Sequence, residues 1–174
     1  MSSVGNLIVS MKEQWGQPRE AIHRGQRCQL SLACRFAAEP TDASTERLPI
    51  AIPEDVREFW LTARSAFLFE DQRYGQWGVE VFEPAQALLE TSRQMIARPE
   101  DFAGSDLVLA RFLGDSDLLV IECDVNLNDY RLVTVALPID RRRDWPVVAS
   151  SFSSFLERLA DAQGDKYWEV RKET

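Results

Sequence analysis

Asp115 and Asp117 are the carboxylate pair in this chain whose spacing best suits chemistry, because one residue separates them directly after Gly114. Such a pair could act as general acid and base, or bind a metal ion. Aspartate is also common in turns, where its side chain accepts hydrogen bonds from nearby backbone amides. Apolar segments lie on both sides of this pair. We therefore predict a turn between two strands and not a catalytic site.

Histidine chemistry is restricted to His23, because the chain contains a single histidine. Zinc sites, Cys–His pairs and Ser–His–Asp triads commonly depend on such a side chain. His23 lies within residues 20–24, which we interpret as a short helix ended by Gly25. A surface histidine near a helix end fits this position better than a catalytic one.

The remaining motifs that could do chemistry are also better interpreted as loops or core residues. Residues 124–129 resemble the start of a calcium-binding loop, but Asp129 and Val135 stand where that loop needs glycine and glutamate. The arginines at 141–143 could bind phosphate, yet flanking aspartates favour a solvated loop. The cysteines have neither disulfide-framework nor zinc-site spacing: Cys28, Cys34 and Cys123. We predict no catalytic residues, no metal and no cofactor, and hence a protein that is not an enzyme.

The charge balance favours a protein partner. The chain has 174 residues, 20 Lys and Arg against 28 Asp and Glu, and a net charge of -8. Such a surface repels nucleic acid phosphate and anionic lipid, and it suits a basic protein. The same charge could simply keep the protein soluble. No apolar run reaches the length of a membrane span, so we expect a cytoplasmic protein without nucleic acid or membrane as a partner.

The first 47 residues are predicted to be a helical extension that packs on the main domain or precedes it. Apolar residues spaced by three and four predict a helix over residues 3–15. Residues 30–37 are interpreted as a helix, although their alternation also fits a strand. The polar segment 39–47 predicts a boundary, so the domain is expected to span residues 48–164, followed by a polar tail over 165–174.

The main domain is predicted to alternate short strands with helices. Helices are expected from Pro53, from Pro84 and over residues 147–160, the last ended by Gly164. Strands are expected over 66–70, 77–82, 106–113, 117–123 and 131–137. Because the strand connections are short, the sheet should be mainly antiparallel. The sequence predicts an α+β fold in which helices flank a sheet of about five strands.

Three segments together resemble the SUKH superfamily. They are IPEDVREFW at residues 52–60, FLGDSDLL at 112–119 and VASSFSSFL at 148–156. The superfamily includes fungal regulators of cell-wall synthesis and many bacterial immunity proteins. The resemblance implies an α+β fold and a non-catalytic role, in which bacterial members neutralise a toxin by binding it. It carries no set of catalytic residues.

We therefore expect an immunity protein that binds a basic toxin domain, with a scaffold or regulatory protein, homodimeric or not, as the alternative. Tyr74 and Trp77 lie near a turn among carboxylates, a composition typical of interfaces, although inward packing fits them equally well. An enzyme that uses Asp115 and Asp117 remains a third hypothesis. The predicted interface residues are Glu70, Asp71, Tyr74, Trp77, Glu80, Glu83, Asp115 and Asp117.

Overall fold

The computed structural model describes residues 3–37, 51–123 and 132–169. Its helices are α1 (Val4–Trp15), α2 (Glu54–Thr62), α3 (Pro84–Ala97) and α4 (Phe152–Asp161), with short 3₁₀ turns at Arg142–Asp144 and Tyr167–Glu169. A small hairpin pairs β1 (Ile22–His23) with β2 (Gln26–Arg27). The predicted boundary segment 39–47 and the calcium-like segment 124–129 lie outside the described residues.

One antiparallel sheet of seven strands organises the fold. Its strands are β3 (Leu32–Phe36), β4 (Ala66–Asp71), β5 (Val79–Val81), β6 (Asp106–Phe112), β7 (Leu118–Glu122), β8 (Val133–Ala136) and β9 (Val147–Ala149). Each strand pairs with the next strand along the chain, so the order in the sheet is the order in the sequence. The α+β prediction is confirmed, with seven strands in place of about five.

Helices α1, α2 and α4 contact one another, while α3 packs against β6. Phe59 of α2 and Phe152 of α4 meet edge to face, with ring centroids 5.4 Å apart. Trp60, which is 1% exposed, donates its indole N–H to the carbonyl of Phe82. The aromatic residues of α2 are therefore core residues, as its helical spacing indicates.

Two predicted helices are strands or turns in the structure. The segment 20–24 belongs to the β1–β2 hairpin because Arg24 and Gly25 take left-handed φ angles of 53° and 77°, which close a two-residue turn. The helix predicted for residues 30–37 is wrong, and β3 occupies that segment. Its alternation was the correct signal, because β3 pairs with β4 along one edge.

The helix predicted over residues 147–160 begins later than expected. Val147 and Ala149 pair with β8 as strand β9, and the helix starts only at Phe152. Ser151 causes this boundary: its backbone is extended, and its hydroxyl accepts a hydrogen bond from the amide of Ser154. Val148 is therefore buried as a strand residue and not as part of a helical stripe.

Candidate functional site

The β4–β5 turn presents an exposed aromatic side chain on an ordered loop. The Asp71 carboxylate, in a residue 2% exposed, accepts hydrogen bonds from the amides of Arg73 at 3.1 Å and Tyr74 at 3.0 Å. Gly75 follows with a left-handed φ of 64°. Tyr74 itself is 72% exposed. Asp71 thus shapes the turn, and Tyr74 extends from it toward solvent.

Trp77 closes the same turn and packs partly inward. Its indole N–H donates to the carbonyl of Gly164 at 2.9 Å, and its ring lies 5.7 Å from the Lys166 ammonium. The side chain is half-buried against the hydrophobic core. Of the two roles that the sequence left open for this residue, inward packing accounts for most of its contacts.

The β6–β7 turn contains the two aspartates in the role that the sequence favoured. The Asp115 side chain accepts a hydrogen bond from the amide of Asp117 at 2.9 Å, as expected for a turn residue. Gly114 of this turn lies against the backbone of Gln76, so the two turns touch. Tyr74, Asp115 and Asp117 are therefore brought to one end of the sheet.

Lys166 joins the two turns and was not recognised from the sequence. Its ammonium contacts the Asp115 carboxylate directly, and it lies 3.7 Å from Asp117 Oδ2 and 3.8 Å from Glu169 Oε1. Only 12% of its side chain is exposed. One ammonium here serves three carboxylates, which leaves an excess of negative charge. We call Tyr74, Trp77, Asp115, Asp117 and Lys166 the turn surface.

Burial and the neighbouring carboxylates both disfavour the ionised form of Asp117. Burial raises the pKa of its carboxyl, and the neighbouring charge of Asp115 raises that pKa further, against the opposing effect of Lys166.

The sequence contains only an indirect signal that Lys166 packs on the domain. Tyr167 and Trp168 interrupt the polar tail, and Trp168 packs its ring 5.4 Å from that of Phe112.

The hairpin residue His23 lies beside this surface and not near a helix end. Its Nε2 donates to the carbonyl of Gln163 at 2.9 Å, and its side chain is 14% exposed. The next residue, Arg24, donates to the carboxylate of Asp165 at 3.0 Å. The prediction of a surface histidine was wrong because the turn of the hairpin folds it against the segment that follows α4.

The other three predicted interface carboxylates are each paired with an arginine. Glu70 contacts Arg35 at 2.5 Å, Glu83 contacts Arg64 at 2.6 Å, and Glu80 contacts its cross-strand neighbour Arg111. Exposed pairs of this kind stabilise a fold weakly. These carboxylates are thus locally neutralised, in contrast to those of the turn surface.

Comparison with protein families assigns the fold. The model of the SMI1/KNR4 family (SUKH-1) matches residues 41–158, which is more than half of the chain. The chain belongs to the SMI1/KNR4 (SUKH-1) family. No curated protein and no solved structure matches it. The resemblance inferred from the sequence is therefore confirmed.

The SUKH-1 match covers both turns of the turn surface but not all of it. Lys166 lies beyond residue 158, and α1, the β1–β2 hairpin and β3 precede residue 41. These outer segments nevertheless share one core with the matched region, since Trp15 of α1 stacks edge to face on Phe69 of β4 at 5.0 Å. Segments on both sides of the match therefore pack against the matched region.

Arg142 of the SUKH-1 domain holds a second cluster of charges. It lies in the segment predicted to be a solvated loop, but its guanidinium donates to Asp106 at 2.9 Å and Glu122 at 2.6 Å. Asp106 is fully buried. The hydrogen bond that Arg142 donates to Asp106, opposed by burial, raises the pKa of the guanidinium. Arg142 is therefore a structural residue, whereas Arg143 is exposed as expected.

Neither cluster has the side chains of a metal centre. Over residues 3–37, 51–123 and 132–169, the histidine, cysteine and carboxylate side chains form no group of three that could hold a metal ion. Within the same ranges, each helix is too short or too polar to cross a bilayer. What the turn surface offers is a fixed aromatic side chain beside excess negative charge.

Proposed function

We propose that this SUKH-1 protein neutralises a cognate toxin by binding it directly, without catalysis, through the turn surface. The observation that carries the proposal is Tyr74, an aromatic side chain 72% exposed on a turn whose backbone Asp71 fixes. Large aromatic side chains dominate the energetics of many interfaces. A side chain on an ordered turn also loses less conformational entropy on binding than one on a flexible loop.

Charge supports a basic partner. The chain has a net charge of -8, and at the turn surface three carboxylates surround one ammonium. Complementary charge accelerates encounter and fixes the orientation of the complex. Glu70, Glu80 and Glu83 would join such an interface only by exchanging their arginine partners for groups of the toxin.

Capture from the native cell, followed by a growth assay, tests this function. The tagged chain is used as bait beside its Tyr74→Ala variant, and Leu61→Ala serves as control because Leu61 is also exposed but lies on α2. A protein captured by the wild type and the control is then expressed alone in a bacterial host. We expect it to stop growth, and co-expression of this chain to restore growth.

The possible results distinguish an error in the proposed function from an error in the proposed binding surface. A captured protein that is harmless alone would favour the alternative, a regulatory or scaffold protein with a non-toxin partner. If the partner is toxic, Tyr74→Ala should weaken its binding at least about tenfold. If Tyr74→Ala still rescues growth and binds the toxin with unchanged affinity, the proposed function stands, but the turn surface is not the binding site.

A further inference from the structure

Two isoleucine side chains are largely exposed to solvent, although burial of such apolar side chains is favourable. Ile139 is 93% and Ile96 is 83% exposed, the highest values among large apolar side chains in the described ranges. Ile139 borders a concavity of about 340 Å³ that Ala97, Pro99 and Pro138 also line, and Ile96 precedes Ala97 at the end of α3. Exposed apolar surface of this kind is typical of an interaction site.

The surface around Ile139 is held in place by Arg98. This guanidinium donates to the carbonyl of Leu137 at 2.9 Å and to the carboxylate of Asp101 at 3.1 Å, which joins the loop after β8 to the end of α3. Burial raises the pKa of Asp101, but hydrogen bonds from the Arg142 amide and from Arg98 outweigh it and lower that pKa below its usual value. The exposure of Ile139 is therefore fixed by the fold.

The charges beside the isoleucines are balanced, unlike those of the chain as a whole. Glu100 and Arg141 form an ion pair at 2.9 Å, and their side chains are 75% and 60% exposed. A partner with one dominant sign of charge would meet one of the two unfavourably. A second copy of this chain, related by a two-fold axis, presents an arginine to each glutamate and a glutamate to each arginine.

We propose that the surface formed by Ile96, Pro99, Glu100, Ile139 and Arg141 is where a second copy of this chain docks as a symmetric homodimer. In this arrangement Ile139 of each copy enters the concavity of the other, and Glu100 exchanges its arginine for that of the second copy. Because both copies have a net charge of -8, a locally neutral surface is where they approach with least repulsion.

The docking surface and the turn surface share no residue, so the inference does not depend on the proposed toxin. Arg142, next to Arg141, binds Asp106 at the start of β6, whereas Asp115 follows the end of that strand. The seven residues of β6 separate the two positions by roughly 20 Å.

Sedimentation of the whole chain over a range of concentrations tests the homodimer. We expect a reversible monomer–dimer equilibrium, and Ile139→Asp should weaken association at least about tenfold. Leu61→Asp, at an exposed position on α2, should leave it unchanged. Circular dichroism confirms that each variant is folded. A wild type that stays monomeric at all concentrations, or a dimer that Ile139→Asp leaves intact, overturns the proposal.

Charge exchange provides a second test that a contact with another protein would not satisfy. Glu100→Arg alone and Arg141→Glu alone each place like charges opposite one another in a symmetric dimer, so each should dissociate more readily than the wild type. Mixing the two variants pairs opposite charges again and should restore a dimer of one copy of each. Failure of the mixture to associate more strongly than either variant alone contradicts the proposed symmetry.

Discussion

The carboxylate of Asp55 accepts a hydrogen bond at 2.9 Å from the amide of Ser153, 98 residues further along the chain. Its other oxygen accepts from the amide of Val56 at 3.0 Å. One side chain therefore satisfies amides in the first turns of two helices, α2 and α4, and places negative charge near the positive end of each helix dipole.

We expect Asp55→Ala to lower the free energy of unfolding by about 1–2 kcal/mol, because two helix N-termini lose their acceptor together. Urea denaturation measures this change. Glu54→Ala is the matched control, since Glu54 precedes Asp55 and its side chain is 89% exposed. Equal stability of the two variants would show that the Asp55 contact contributes nothing beyond surface charge.

Removing Arg142 should destabilise the protein far more than removing its neighbour. Arg142→Ala leaves Asp106, which is fully buried, without its cation, and we expect a loss of about 2–4 kcal/mol. Arg143 has a side chain 84% exposed, so Arg143→Ala should change stability by less than about 0.5 kcal/mol. Thermal or urea unfolding of both variants decides whether Arg142 stabilises the fold or lies in a solvated loop without such a role.

Loss of the negative charge of Asp117 should not destabilise the protein. Burial and the charge of Asp115 raise the pKa of Asp117, so its ionised form is disfavoured in the folded protein. The unfolded chain loses this proton at lower pH, and stability from this group therefore falls as pH rises toward neutral. We expect Asp117→Asn to be as stable as the wild type at neutral pH, or more stable by at most about 1 kcal/mol.

Asp115→Asn is the control for that variant, because it removes the carboxylate in direct contact with Lys166. It should be less stable than Asp117→Asn at neutral pH. The difference in the free energy of unfolding between the two variants should shrink in acid, where the carboxyls of Asp115 and Asp117 are protonated. A larger loss for Asp117→Asn would mean that its attraction to Lys166 outweighs burial and repulsion.

Cys34 should make the protein sensitive to alkaline pH. Burial, partly offset by the amide of Phe69, raises the pKa of this thiol from 9.0 to about 12. Above pH 9 the unfolded chain releases this proton while the folded protein retains it, so stability falls as pH rises. Between about pH 8 and pH 10 we expect a loss of about 1.4 kcal/mol that Cys34→Ala does not show.

Unfolding of both proteins in urea at several pH values gives this difference directly. Other groups titrate in the same range in both proteins, for example Tyr167, whose pKa burial raises to about 12, and subtraction of the two curves removes them. Parallel curves for wild type and Cys34→Ala would contradict a thiol held neutral by the fold.

The N-terminal helix provides a test of how the chain divides into domains. Trp15 is 3% exposed and stacks on Phe69 of the sheet. Trp15→Ala should lower the free energy of unfolding by about 3–5 kcal/mol if α1 and the sheet unfold together. A variant that loses only α1, with the rest unfolding at the wild-type midpoint, would support an extension independent of residues 48–164.

The hydrophobic patterns in the sequence predicted most elements correctly, and the exceptions have two causes. Val148 and Leu32 belong to segments whose apolar residues fit a helix as well as a strand, and pairing with distant strands decided the outcome. Arg24 takes a left-handed φ, a conformation that the sequence does not predict at this position. Ser151, as the N-cap, is the local signal that indicates the observed start of α4 at Phe152.

The candidate site was harder to predict than the fold. Tyr74 and the aspartates were recognised because turn chemistry is local. Lys166 was missed because Asp115 and Asp117 lie about 50 residues earlier in the chain, and only the tertiary fold brings them to its ammonium. The resemblance to the SUKH superfamily rested on segments within the matched region and could not reveal contacts from outside it.

The contacts of Arg24 with Asp165 and of His23 with Gln163 span about 140 residues, so the two ends of the described chain close the domain together. At typical rates of translation, roughly 7–28 s pass between synthesis of these residues and of their partners. During that interval β3, β4 and α2 can pack against α1, but α4 cannot. Packing around α1 is therefore complete only after α4 and the segment that follows it have left the ribosome, and a nascent chain stalled before α4 would expose the part of α1 that α4 covers.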